Sequence, residues 1–184
     1  GRLVAAMRRA WTLLPVKAAL LMALSVGAAQ AEGWFLHPEG ELRAYHGDWL
    51  AVCDNGGEGP CRAVQILLEP GETRVGPARL VLEQNGAGGL DIVFHHLALF
   101  EGVRDPLVLE VDGDAVTLAP DHWAPGEPGR PNVIAAFHIA DPALAEALVT
   151  RMKAGWRLTL RHDAGEATFS LRGVTAALAA IAAQ

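Results

Sequence analysis

Along most of the chain, short runs of alternating or clustered apolar residues lie between Gly, Pro and Asp, the pattern of antiparallel sheet. Nine runs carry it: Trp49–Cys53, Arg62–Leu68, Arg79–Glu83, Leu90–Phe94, Leu107–Val111, Ala115–Leu118, Val133–Ile139, Trp156–His162 and Ala167–Arg172. Asp112-Gly113, between the fifth and sixth, is a favoured two-residue hairpin turn. Asp163-Ala164-Gly165-Glu166 separates the last two. Alternation there puts Trp156, Leu158 and Leu160 on one face and Arg157, Thr159 and Arg161 on the other. Trp49 and Trp156, each among apolar neighbours, are expected in the core.

The period changes twice. Asp141-Pro142 supplies a capping side chain and a proline for the first helical position, and Gly155 supplies the stop. Between them Leu144, Leu148 and Met152, with Ala147 beside them, form one narrow apolar stripe. The alanine-rich end, Val174–Ala183, predicts a short helix packing through Leu178 and Ile181. The expected fold is therefore mainly β. It is a single antiparallel β-sandwich-like domain with one short helix before the last hairpin and a short C-terminal helix. Pro120–Pro131 is a long Pro/Gly-rich loop carrying His122 and Trp123.

The N-terminal segment has a different logic. Arg8, Arg9 and Lys17 form a positive head, Ala18–Ala29 is uncharged and mostly apolar, and Ala29-Gln30-Ala31 places small residues where a signal peptidase reads. Residues 1–31 are expected to be a signal peptide with its upstream residues, cleaved after Ala31, leaving 32–184 as the folded domain. The apolar run falls short of the ~20 residues of a spanning helix. No later stretch reaches that length, so no transmembrane segment is expected after cleavage. Export implies a compartment in which thiols are oxidised.

Charge narrows the partners. The first 31 residues hold four basic groups and no acid, leaving 11 basic residues against 21 acidic ones. A domain near −10 repels phosphate backbones and anionic lipid, so nucleic acid is an unsuitable partner. Cys53 and Cys61 are the only cysteines, and the turn-forming segment between them lets the pair face each other across a hairpin. A redox pair would need C-x-x-C and a zinc site four ligands. A structural disulfide Cys53–Cys61 is the expectation, worth about 2 to 3 kcal/mol for so short a loop.

Catalytic and metal signals are sparse. His95 and His96 are neighbours whose side chains leave a strand on opposite faces, and His37, His46, His122, His138 and His162 show no ligand spacing. No metal site and no cofactor are expected. Beyond residue 31 the one serine, Ser170, sits mid-strand, and the one lysine, Lys153, sits in the predicted helix. No nucleophile elbow, phosphate loop or dinucleotide fingerprint is present. No residue is therefore assigned a catalytic role, and the chain is expected not to be an enzyme. A hydrolase would need two carboxylates roughly 5 to 9.5 Å apart in a cleft. His122 and Trp123 are the candidate contact for a partner, Trp123 being the better exposed-contact candidate. The alternative is a small-ligand or metal-binding module built on that same loop.

Gly47-Asp48-Trp49 leads to Cys53, and Cys61 follows. Further on come Leu109-Glu110-Val111-Asp112-Gly113, then Met152-Lys153-Ala154-Gly155, and finally Ser170-Leu171-Arg172-Gly173 running into Ala176-Ala177-Leu178. In this order, from about Tyr45 to Ile181, the chain resembles the invasion-associated locus B family of Gram-negative bacteria. That resemblance implies a β-rich envelope protein, periplasmic or outer-membrane-associated, with no established enzymatic activity. It also implies a link, in some relatives, to host-cell invasion. The family often carries a second cysteine pair before the helix, and Pro131–Ile139 has none here. The expected function is an exported, non-catalytic envelope protein that binds a protein partner or supports the envelope.

Overall fold

The computed structural model describes residues 33–67, 78–96, 106–163 and 165–184, all within the compact unit Ala31–Gln184. The expected signal peptide with its cleavage site, and Leu68 at the end of the second predicted strand, lie outside the described residues. Twelve described strands form two antiparallel sheets. The larger runs in the order β1 (Phe35–Leu36), β2 (Leu42–His46), β3 (Trp49–Cys53), β4 (Cys61–Leu67), β5 (Ala78–Gln84), β6 (Leu90–His96), β10 (Ala136–Ile139), β9 (Trp123–Pro125). The smaller runs β12 (Gly165–Ser170), β11 (Arg157–His162), β7 (Val108–Val111), β8 (Asp114–Thr117). Helix α1 (Pro142–Ala154) precedes the last hairpin and α2 (Val174–Ala182) ends the chain, so the fold is mainly β as the pattern predicts.

The core lies between the sheets. Trp49, Leu80, Leu82, Ile92, Phe94 and Phe137 point in from the larger sheet, and Leu109, Leu158, Leu160 and Phe169 from the smaller. Phe94 stacks on Phe137 at 5.0 Å and meets Phe169 edge-on at 6.2 Å, tying the layers together. Burying each such side chain is worth about 1.5 to 3 kcal/mol. Ala44, Ala51 and Ala63 are register partners, and all three are fully buried. This row of small side chains lets α2 lie close on β2, β3 and β4, presenting Val174, Ala177, Leu178 and Ile181. Gln65 reaches across the layers: its amide donates to the Ser170 carbonyl at 2.7 Å and accepts from the Ser170 N–H at 2.8 Å, satisfying the edge of β12 as another strand would.

Local chemistry accounts for the elements. Asp141 accepts hydrogen bonds from the Ala143 and Leu144 N–H groups, and Pro142 opens α1. The buried face of α1 is Ala145, Leu148, Val149 and Met152, the i, i+3, i+4, i+7 series. Ala147 is exposed, a correction to the expected stripe. Asp112 and Gly113 both take positive φ, the geometry of a two-residue turn between β7 and β8. Cys53 and Cys61 are register partners across β3 and β4 and are joined by a disulfide.

Four sequence expectations change. Val133–Ile139 shortens to Ala136–Ile139, because Ala135 adopts φ 59° and breaks the extended run. Trp156 is 75% exposed: it precedes β11, where its backbone N–H is held by the Asp112 carboxylate at 2.8 Å while the side chain turns outward. Strands β1 and β2 were hidden because Ala44 alone among their residues is fully buried. Strand β9 was hidden inside the Pro/Gly-rich loop and is only three residues long.

Candidate functional site

Register places one continuous row on the outer face of the larger sheet. Tyr45, Leu50, Val64, Val81, Val93 and His138 are successive neighbours from β2 to β10. Val64, Val81 and Val93 form their own buried apolar cluster, separate from the main core. At the free end of the row Tyr45 is exposed, and its ring stacks on Phe35 at 6.0 Å. The three valines make the floor of a cleft of about 480 Å³. That is within the usual range for a ligand-binding cleft.

Charged rows border this floor. On one side Arg62, Glu83 and Asp91 are register neighbours. Arg62 donates to Asp54 at 3.0 Å and to Glu41 at 3.2 Å. On the other side Arg79 and His95 are partners, and the segment Glu127–Arg130 folds over them. His95 Nε2 lies 3.2 Å from Arg79 Nη2 and 3.3 Å from Glu127 Oε1, and Arg130 pairs with the second Glu127 oxygen. Burial, then Arg79, lowers the His95 pKa against the opposing pull of Glu127. The ring is therefore neutral at pH 7 and accepts from Arg79 through Nε2. Burial raises the Glu83 pKa, with Glu127, Asp54 and Asp91 adding to it and Arg62 opposing. The result is an apolar strip between paired charges of both signs, a surface that discriminates by shape and hydrogen-bond pattern rather than by net charge.

The residues singled out from sequence sit elsewhere. His122 is committed to its own turn: its Nδ1 accepts from the Ala119 N–H at 3.0 Å, and its carbonyl accepts from the Ala140 N–H at 2.8 Å. Trp123 pairs with Ile139 in the sheet, and its ring packs edge-on against Phe137 at 6.1 Å. Both are half-buried. Their loop contributes to the cleft through Glu127, Pro128 and Arg130 instead.

The motif segments join in pairs. Asp48 Oδ2 accepts from Ser170 Oγ at 2.6 Å and Arg172 Nε at 3.1 Å, and Asp48 Oδ1 accepts from Arg172 Nη2 at 2.7 Å. These contacts, the Arg172 hydrogen bond first, hold the Asp48 carboxyl at about 2. Gly47 and Gly173, at φ 57° and 94°, let the two backbones touch: a Cβ on Gly173 would lie 1.9 Å from the His46 carbonyl oxygen. Asp112 likewise accepts from the Trp156 and Arg157 N–H groups. Gly155 fits against it, where a Cβ would meet Val111 Cγ1 at 2.7 Å. Gly47-Asp48-Trp49 with Ser170–Gly173, and Leu109–Gly113 with Met152–Gly155, are thus fasteners of the fold.

No helix among the described residues is long and apolar enough to cross a membrane. No protein-family model matches the chain, and no curated protein matches it. Among solved structures, the crystal structure of invasion associated protein B from Bartonella henselae is similar at 18% identity, with a TM-score of 0.49. That likeness covers 77% of this chain and 96% of the other.

Proposed function

We propose that this chain is an exported, non-catalytic envelope protein of the invasion-associated locus B type that binds a protein partner along the outer face of its larger sheet. The observation that carries the reading is the row from Tyr45 to Val93, an apolar strip leading into a cleft bordered by paired charges. Aromatic and apolar centres with polar rims are the anatomy of protein interfaces. The signal-like N-terminus and the disulfide support the oxidising, exported address.

Two measurements test this. In fractionated cells the protein is expected in the periplasm or with the outer membrane, starting at Glu32 and two hydrogens lighter than its reduced form. A photo-crosslinking residue at position 79 is expected to trap one defined partner, lost on Glu127→Arg, while the same probe at Thr159 on the smaller sheet traps none. An unprocessed cytoplasmic species, or equal labelling from both positions, contradicts the reading. A second reading, hydrolysis by carboxylates in the same cleft, draws on the raised Glu83 pKa beside Asp91 and Glu127. Turnover of a glycoside that Glu83→Gln abolishes would favour it over binding alone.

A further inference from the structure

Register sets three cross-strand pairs side by side in the cleft: Arg79 with His95, Val81 with Val93, and Glu83 with Asp91. Alternation fixes that order, because Leu80, Leu82, Ile92 and Phe94, the residues between them, point into the core. The cleft therefore changes sign along its length. At the Glu83 end the described lining residues bring three carboxylates, Asp54, Glu83 and Asp91, against one guanidinium, Arg62. Arg62 is already divided between Asp54 at 3.0 Å and Glu41 at 3.2 Å. Burial and the neighbouring carboxylates make Glu83 costly to ionise, a cost that a cation placed there relieves. At the other end two guanidiniums, Arg79 and Arg130, stand against one carboxylate, Glu127. Arg130 pairs with Glu127, while Arg79 Nη2 meets the neutral His95 ring at 3.2 Å.

The dimensions narrow the occupant. Arg79 and Glu83 are four residues apart in one strand, so at about 3.3 Å per residue the two ends stand roughly 13 Å apart. A free amino acid, whose two charges share one carbon, cannot reach both. An extended chain can, because its side chains i, i+2 and i+4 lie on one face and span the same distance. An acidic side chain then meets Arg79, a basic one meets Glu83 and Asp91, and an apolar one midway rests on Val81 and Val93. A segment bearing two acids or two bases places like charges together at one end, which costs affinity.

We propose that the cleft binds an extended segment of a protein partner, lying along β5, that carries an acidic and a basic side chain four residues apart with an apolar side chain midway. Either chain direction serves, since recognition is by side chains. This rests on the reading of the outer face as a binding face and adds the chemistry of what that face takes.

Three terminally blocked peptides of seven residues test it. Each is threonine throughout, except for a central valine and charged residues two positions to either side: glutamate with lysine, glutamate twice, or lysine twice. They are titrated into the oxidised protein and followed by backbone amide chemical shifts. The mixed peptide is expected to bind with a Kd of about 1 mM or tighter, at least about fivefold more tightly than either same-sign peptide. Its shifts are expected to centre on β5 and β6. Arg79→Glu is expected to make the two-lysine peptide the tightest, and Glu83→Lys to erase the preference for the mixed peptide over the two-glutamate one. Circular dichroism establishes that each variant is folded; where one is not, the other decides, and the parent's ranking of the three peptides holds regardless. No binding of the mixed peptide at about 1 mM, equal affinity for all three, or a ranking that the folded variants leave unchanged overturns the proposal. If a partner is still trapped from position 79 in cells, such a result removes this chemistry and leaves the binding face standing. Equal labelling from positions 79 and 159 removes the binding face and the proposal with it.

Discussion

The fastener joining Asp48 to Arg172 and the cleft over Val81 are both built from arginines, carboxylates and close packing, yet they do different work. In the fastener every polar group serves another part of the same chain, and two glycines bring the backbones into contact. In the cleft the charges sit around an apolar floor that leads to exposed aromatic rings. One region spends its chemistry on holding β2, β3, β12 and α2 together. The other keeps its chemistry at the surface. Substitutions in the first should therefore change stability, and substitutions in the second should change binding.

The largest effect is expected at Gly173. Gly173→Ala places a Cβ against the His46 carbonyl in a left-handed backbone, and should cost about 3 kcal/mol or more in urea unfolding. Reducing the disulfide, or making Cys53→Ala with Cys61→Ala, should cost about 2 to 3 kcal/mol through the short loop it closes. Gln65→Ala strips the Ser170 N–H of its partner at the sheet edge and leaves the Ser170 carbonyl only the Trp49 indole N–H, for about 1 to 2 kcal/mol. An effect below about 0.5 kcal/mol in any of the three would mean that the fasteners are incidental.

A smaller, pH-dependent effect sharpens the contrast. The folded Asp48 carboxyl sits at about 2 against an ordinary value of 3.8. A depressed carboxylate contributes stability above its unfolded pKa and loses it as pH falls through the folded one. Unfolding free energy should thus decline between pH 4 and pH 2, and Asp48→Asn should flatten that limb. An unchanged limb in the variant would remove Asp48 from the account.

What the sequence discloses follows the same division. Among the fasteners, Cys facing Cys across a hairpin is legible from local chemistry, whereas Gly47-Asp48 and Arg172-Gly173 stand in the sequence only as pieces of the resemblance, and their contact joins segments 124 residues apart. The helix cap at Asp141 and the Asp112-Gly113 turn are legible for the same reason. The cleft is not. Arg62, Arg79, His95 and Glu127 lie on four separate segments and converge only through register and one folded-over loop. His96 and His162 meet only because two sheets pack, and no spacing in the sequence encodes that. Trp156 misled because a strand pattern cannot show that the strand begins one residue later. Strand β9, which carries Trp123, was not legible because a Pro/Gly-rich loop can conceal an edge strand.

Equilibrium urea unfolding of the double variant Arg79→Ala, Glu127→Ala tests the division most directly. If the cleft charges are kept for a partner, the variant should unfold within about 1 kcal/mol of the parent, as expected when the ion pair lost, Glu127 with Arg130, is partly solvated. A loss of more than about 2 kcal/mol would show instead that these charges hold the loop to the sheet as structure, and the outer face would cease to be a binding face.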